Sequence, residues 1–318
     1  MSDSRPVRRM ALRFDPDYAG RPGYRPDFLP GFTVPLPGVT PQRAADLVLG
    51  ADGAPLELQY HHFSLLVHAA RRSQLWSAVN VDYTPQRRFG NPDRQTLGRD
   101  EWRSDPRLPP EALLRDADIY ADTLFDRGHV VRRNDNAWGE TLTELEYANA
   151  DTFHWTNATP QHADFNQSRA GGLWGGLEDQ LVGALGAAGA RACLYAGPVL
   201  AGSDPSGDFG AGPVQYPLKF WKVVVVAEGE TLRSYAFLLD QSAAIARRGL
   251  RDEALAEEDL NFGGFEVYQV GLEEISGLTG VTFAPGVGAA QVDRGEVGTL
   301  ETLPVRRRLE SFGDVRLR

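Results

Sequence analysis

The informative stretch of the chain contains FDRGHVVRRNDNAWG (125–139), DTFHWTNATPQHADFNQ (151–167) and LWGGLEDQL (173–181). His129 stands among Arg127, Arg132 and Arg133. Nearby positive charge disfavours imidazolium, and a neutral imidazole suits a general base. By itself a histidine in a basic loop reads as an exposed turn residue, so its neighbours must decide. Gly128 lets the backbone come close to a ligand. Asn166 and Glu178 are twelve positions apart. On one continuous helix that spacing is about 18 Å of rise, too far for one site. Gly171-Gly172 and Gly175-Gly176 lie between them, which predicts a broken helix that returns Glu178 toward Asn166. Without the break, Glu178 is an ordinary acid at a helix start. His154, His162 and Asp164 invite a zinc reading, but no third strong ligand accompanies them, so packing or flanking roles are expected.

Outward from this region the chain reads as one domain, residues 56–304, with an arm before it and a tail after it. Residues 1–55 carry nine of the 21 prolines, which predicts extended coil with few ladder bonds. Tyr24, Phe28, Leu29 and Phe32 predict that this arm packs on the body. Leu56, Leu58, Tyr60 and His62 alternate and run into apolar residues 63–67, as a strand does. His61 and His62 then point to opposite faces, so at most one is buried. Residues 76–81 read as a second strand after an Arg71-Arg72 turn, and residues 84–110 as loop. Residues 177–192 and 243–260 read as helices, with a short one at 272–278. FWKVVVVA (220–227) and residues 235–239 read as buried strands joined near Glu228-Gly229. The end, 305–318, with Arg306-Arg307-Arg308, reads as a solvated basic tail.

The 318 residues are 42% hydrophobic and 24% charged, ample for a core without disulfide or metal staples. The single Cys193 excludes an intrachain disulfide framework and any CxxC site. No apolar run approaches the roughly 20 residues of a membrane span. MSDSRPVRRMALRFD shows no apolar signal core, so a cytoplasmic location or an unconventional export route is expected. The net charge of −10 excludes an overall positive surface but not a positive cleft. Of 33 basic residues only Lys219 and Lys222 are lysines. The arginine excess reads first as compositional bias, although guanidinium forks also suit phosphate oxygens. Residues 83–110 hold six arginines (Arg87, Arg88, Arg94, Arg99, Arg103, Arg107) against four acids, a local balance of +2. With Arg127, Arg132 and Arg133 alongside, they predict a positive cleft around His129.

P-loop, HExxH, GxSxG and GxGxxG patterns are absent. What is present, in order, is DRGH (126–129), TNATPQ (156–161), FNQ (165–167) and W-x-x-LE (174–178). This four-part series resembles the DNA/RNA non-specific endonuclease family, the ββα-metal (His-Me finger) nucleases. LQYHHFSLLVHAARRSQLWSAVNVD (58–82), PLKFWKVVVV (217–226), YAFLLDQ (235–241) and FEVYQVGLEEISGLTGVTF (265–283) resemble that family's other strands and closing helix. The likeness covers roughly residues 20–285.

The resemblance implies an α+β fold with a largely antiparallel central sheet flanked by helices. It implies that His129 is the general base and that Asn166 directly holds one Mg2+ or Mn2+ ion, which Glu178 meets through a water. Arg127 and a loop arginine, Arg99 with Arg94 as its rival, are to face the phosphate. Asp126, Gly128 and Asn157 are to organise the site. DNA and RNA are the implied substrates, since none of these groups needs a base edge or a 2′-hydroxyl. A homodimer is the implied assembly; an inhibitor protein is a further expected partner, because a promiscuous nuclease without a signal peptide would threaten its own cell, and no membrane partner is expected. The rival reading is a catalytically silent nucleic-acid-binding or interaction module on the same fold. A sequence-specific member of the superfold would need a groove-reading appendage, for which only the arm and the Arg tail are available.

Overall fold

The computed structural model describes residues 12–89, 100–247, 266–292, 306–315 and 317. Arg94 and Arg99 lie outside the described residues, as does most of the helix expected over 243–260, of which Ser242–Arg247 is described.

Ten strands are needed to describe the site and its support. They are β1 (Leu58–Gln59), β2 (Phe63–His68), β3 (Ser73–Asp82), β4 (Phe125–His129), β5 (Ala158–His162), β6 (Arg191–Val199), β7 (Lys219–Glu228), β8 (Thr231–Asp240), β9 (Val267–Gln269) and β10 (Arg307–Arg308). Eight of them form an antiparallel sheet in the order β10-β9-β8-β7-β6-β3-β2-β1. β4 and β5 pair separately, antiparallel, with His129 opposite Ala158. The helices that matter are α1 (Leu142–Asp151), α2 (Ala163–Asn166), α3 (Leu173–Ala187) and α4 (Leu272–Thr279).

The Val223–Val226 run explains the layering. Strand residues alternate between faces, and a run apolar at every position is buried on both. Phe220, Val224 and Val226 join the core that contains Phe165, Trp174 and Leu177. Trp221, Val223 and Val225 join the opposite core, with Tyr24, Phe28, Leu272 and Ile275. Helix α3 and the β4–β5 pair thus cover one face, and the N-terminal segment and α4 cover the other. The β7–β8 hairpin turns at Gly229-Glu230, where Gly229 has φ +56° as a type II′ turn requires.

Three expectations are corrected. The alternation through residues 56–62 is not one strand. The chain turns at Tyr60–His62, where the Tyr60 amide donates to the Phe63 carbonyl and His62 takes φ +69°. The facing rule for His61 and His62 therefore fails, and both are buried. His61 hydrogen-bonds Asp151 through Nδ1 at 2.8 Å, and His62 stacks on Trp138 while its Nε2 meets Glu144 at 3.0 Å. Second, the described tail residues are not a solvated end. β10 pairs with β9, and Leu309 and Val315 enter the core. Third, the arginines of residues 83–110 do not all face a cleft. Arg88 is buried and donates to the Asn134 carbonyl, Arg107 binds Asp105 at 2.7 Å, and Arg87 pairs with Glu140.

Candidate active site

β4 runs straight through the DRGH residues, and β5 returns after 28 intervening residues to pair with it before leading into α2. Asn157 closes the intervening excursion. Its Oδ1 accepts from the Val131 amide, and its Nδ2 donates to the carbonyls of Val131 and Thr152, each at 2.9 Å. The segment after His129 is thereby fastened to the end of α1. Gly128 serves a tight contact within the protein. A Cβ there would lie 2.3 Å from Oε1 of buried Gln161 on the neighbouring strand.

The helix between Asn166 and Glu178 is broken. α2 ends at Asn166, a 3-10 turn spans Ser168–Ala170, Gly171 takes φ +78°, and α3 begins at Leu173. The break falls at Gly171-Gly172, whereas Gly175 and Gly176 lie inside α3. These two serve packing. A Cβ on Gly175 would stand 2.5 Å from the Asn166 carbonyl oxygen and 2.7 Å from the Ser168 amide, and one on Gly176 would enter the Phe312 ring. The start of α3 therefore lies against the backbone of the turn carrying Asn166. Gly175→Ala is expected to cost about 1–3 kcal/mol as overpacking against backbone that cannot step aside. Urea unfolding measures this, and a stability equal to that of the parent protein would show the contact to be loose.

A cavity of about 470 Å³ is lined by Arg127, His129, Arg132, Asn166 and Glu178 among others. Among the described residues its wall carries four arginines (127, 132, 133 and 169) against three carboxylates (Asp100, Asp126, Glu178). His129 is half-buried, with the Trp102 ring 4.8 Å away and Phe153 edge-on at 4.9 Å. Trp174 donates its indole N–H to the His129 carbonyl at 3.2 Å. Arg127 is partly exposed and pairs with Asp116 at 2.6 Å. Asp126 accepts from the Asn166 and Gln167 side-chain amides, both at 2.8 Å. Because Nδ2 of Asn166 is committed to Asp126, Oδ1 is the atom it can offer a ligand.

Glu178 is buried rather than a surface acid, with Lys222 Nζ at 2.8 Å from Oε1 and Arg132 Nε at 3.6 Å from Oε2. Burial raises its carboxyl above the usual range, against the pull of Lys222 and Arg132. Burial also works against the Arg132 charge, but Glu178, Asp135 and Asp179 hold its guanidinium above its ordinary value. Sequence reasoning missed Lys222. The signal was a lone charge inside an apolar strand, although its partner lies 44 positions away.

His154 and His162 stand elsewhere. His154 is fully buried between the Tyr18 hydroxyl and the Asp151 carbonyl, and His162 caps α2 by accepting from the Asp164 amide. Among the described residues no three His, Cys, Asp or Glu side chains converge as a metal cage.

An antiparallel strand pair ending in a histidine and leading into a helix, set against a large antiparallel sheet, is the ββα-metal nuclease fold. The structure superposes on that of EndoG in a crystal structure of the EndoG/EndoGI complex, with TM-score 0.50, 16% identity, and coverage of 76% of this chain and 89% of that one. The chain belongs to the DNA/RNA non-specific endonuclease family, whose model matches residues 43–290. It is 27% identical over 270 residues to a nuclease of Nostoc sp., covering 80% of this chain and 85% of that protein. It is also 36% identical over 234 residues to an uncharacterized protein, y4fB, of Sinorhizobium fredii. That match covers 70% of this chain, which spans only a third of the relative's length (33%).

Proposed function

We propose that the protein hydrolyses phosphodiester bonds of both DNA and RNA as a divalent-metal-dependent endonuclease with His129 as general base. The observation that carries this reading is the single cavity shared by His129, Arg127, Asn166 and Glu178. The donors fit a hard cation. They are oxygens only, and Asp126 fixes the Asn166 amide so that its carbonyl oxygen is available. One neutral oxygen suits Mg2+ or Mn2+, which keep most of their waters and complete their shells with substrate oxygens. When bound, such an ion polarises the phosphate and stabilises the departing oxygen.

The chain's own groups do the rest. His129, held by Trp102, Phe153 and the Trp174 bond to its carbonyl, accepts a proton from the attacking water. Arg127 offsets charge that grows on the phosphate oxygens, exchanging its exposed Asp116 partner for substrate. Glu178 orients water inside the cavity. Contacts restricted to phosphate and sugar make the reaction indifferent to base and to the 2′-hydroxyl, and sensitive to salt. An inhibitor protein is a fitting partner, because the fold's neighbour EndoG is seen bound to EndoGI in a structure concerned with its inhibition.

Plasmid DNA and RNA incubated with Mg2+, with and without EDTA, test the reading directly. Cleavage of both that EDTA abolishes is expected, and its absence would refute the activity. Asn166→Ala is expected to lose at least about 10–100-fold in activity, the usual cost of removing even a group behind a metal ligand, with excess Mg2+ restoring only part. A Mg2+ titration curve identical to that of the parent protein would mean that another residue holds the ion.

A further inference from the structure

Lys222 is the one charged residue between Phe220 and Val226, on the strand face that Phe220, Val224 and Val226 fill with apolar side chains. It is only 2% exposed. Its Nζ donates to Glu178 Oε1 at 2.8 Å and lies 4.2 Å from the centre of the Trp174 ring. Trp174 in turn donates to the carbonyl of His129. The other carboxylate oxygen, Oε2, is nearest Arg132, which lines the cavity. Arginine and carboxylate left to themselves favour a two-pronged pairing that engages both oxygens. Here the lysine claims one of them from the core side.

Stability alone does not require this arrangement. A buried ion pair can often be replaced by packed apolar side chains without loss of stability, and this strand is otherwise apolar.

We propose that Lys222 is a positioning residue for phosphodiester cleavage: it fixes Oε1 of Glu178 in the core, so that Oε2 is turned to the cavity. Its contact with Trp174 ties the same anchor to the strand end that carries His129. The inference rests on the endonuclease reading and assigns Lys222 no contact with substrate. Lys219, three residues earlier, is the natural control. Its side chain is 40% exposed and its Nζ lies 3.7 Å from Asp240.

The test combines kinetics with metal-free crystal structures of Lys222→Met, Glu178→Gln, their double variant and Lys219→Met. Lys222→Met is expected to lower kcat by about 10–100-fold while KM stays within about twofold, because binding contacts are untouched. Lys219→Met is expected to match the parent protein. Added to Glu178→Gln, the Lys222 change is expected to have no further effect, since residues acting through one another are not additive. In the metal-free crystal structure of Lys222→Met, the Glu178 carboxylate is expected to close onto Arg132 with both oxygens.

Full kcat in Lys222→Met, an unmoved Glu178 carboxylate, or a further loss of about tenfold in the double variant would each overturn the proposal. If Lys222→Met does not fold, the double variant leaves no lone carboxylate in the core, and its comparison with Glu178→Gln still decides. Parent protein that cleaves nothing would refute the endonuclease reading, while the crystal structure would still report whether Lys222 sets the orientation of Glu178.

Discussion

His129→Ala is expected to lose roughly 10²–10⁴-fold in turnover, the usual contribution of a positioned base, while nucleic-acid binding in EDTA remains near that of the parent protein. The separation follows from where the imidazole sits. It is half-buried at the end of β4, between Trp102 and Phe153, and its backbone carbonyl is held by Trp174. Truncation to alanine leaves that carbonyl bond and the β4–β5 pairing intact, because both use only the backbone of His129. Arg127, Arg132 and Arg169 still line the cavity, so affinity for a polyanion persists. Turnover under saturating substrate, with a gel-shift titration in EDTA alongside, measures the two effects apart. Near-normal turnover would remove His129 from the mechanism. Equal losses of binding and turnover would make it a structural residue.

Asp151→Asn is expected to produce the largest loss of stability, about 3–5 kcal/mol, the usual cost of breaking one side of a buried ion pair. Asp151 ends α1 and is fully buried. Its carboxylate accepts from Nε and Nη2 of Arg21 at 2.9–3.2 Å, and from the amide and Nδ1 of His61 at 2.9 and 2.8 Å. The Arg21 side chain is also wholly buried, so asparagine would leave a guanidinium in the core with no counter-charge.

Burial alone would raise the Asp151 carboxyl, but His61 and Arg21 reverse this and hold it down at about 2, from an ordinary 3.8. A depressed carboxyl contributes stability above its unfolded value and loses it as pH falls through the folded one. The parent protein should therefore shed this contribution between pH 3.8 and about 2. The variant lacks it throughout and should show a flatter acid limb. Chemical denaturation from pH 7 to pH 2 tests both statements. A variant as stable as its parent at pH 7 would show that water has replaced the ion pair.

The parts of the candidate site that were legible in the sequence are those for which the proposed chemistry would require particular residue types at fixed order. DRGH, FNQ and W-x-x-LE each carry such a residue, and the glycines between Asn166 and Glu178 announced the break that their spacing demanded. Even there, Gly175 and Gly176 turned out to admit neighbouring groups to the helix surface rather than to interrupt it. The fold was legible where strands are long and apolar, as in FWKVVVVA. It failed at Tyr60–His62, because a turn built on two histidines has none of the Gly, Asn or Pro chemistry that marks turns.

Charges were the least legible feature. Arg88 and Arg107 look like free cations in a basic loop, yet their oxygen partners are set by tertiary packing. Local charge balance in the sequence therefore misjudged which arginines the cleft can use. Among the described residues the wall takes Arg127, Arg132 and Arg133, the three expected beside the cleft, and adds Arg169.

Residue order along the chain has a consequence for biosynthesis. The motif residues occupy positions 126–178, but Glu178 is tied by Lys222, and the helix that bears it is covered at Gly176 by Phe312. A polypeptide leaving the ribosome displays the whole motif well before either of these later residues emerges. Until they do, the Glu178 carboxylate has no lysine partner and the helix that bears it has no cover at Gly176. Completion of the cavity is timed by the last strands, so any truncation that spares the motif but removes them should leave the histidine present and its surroundings unbuilt.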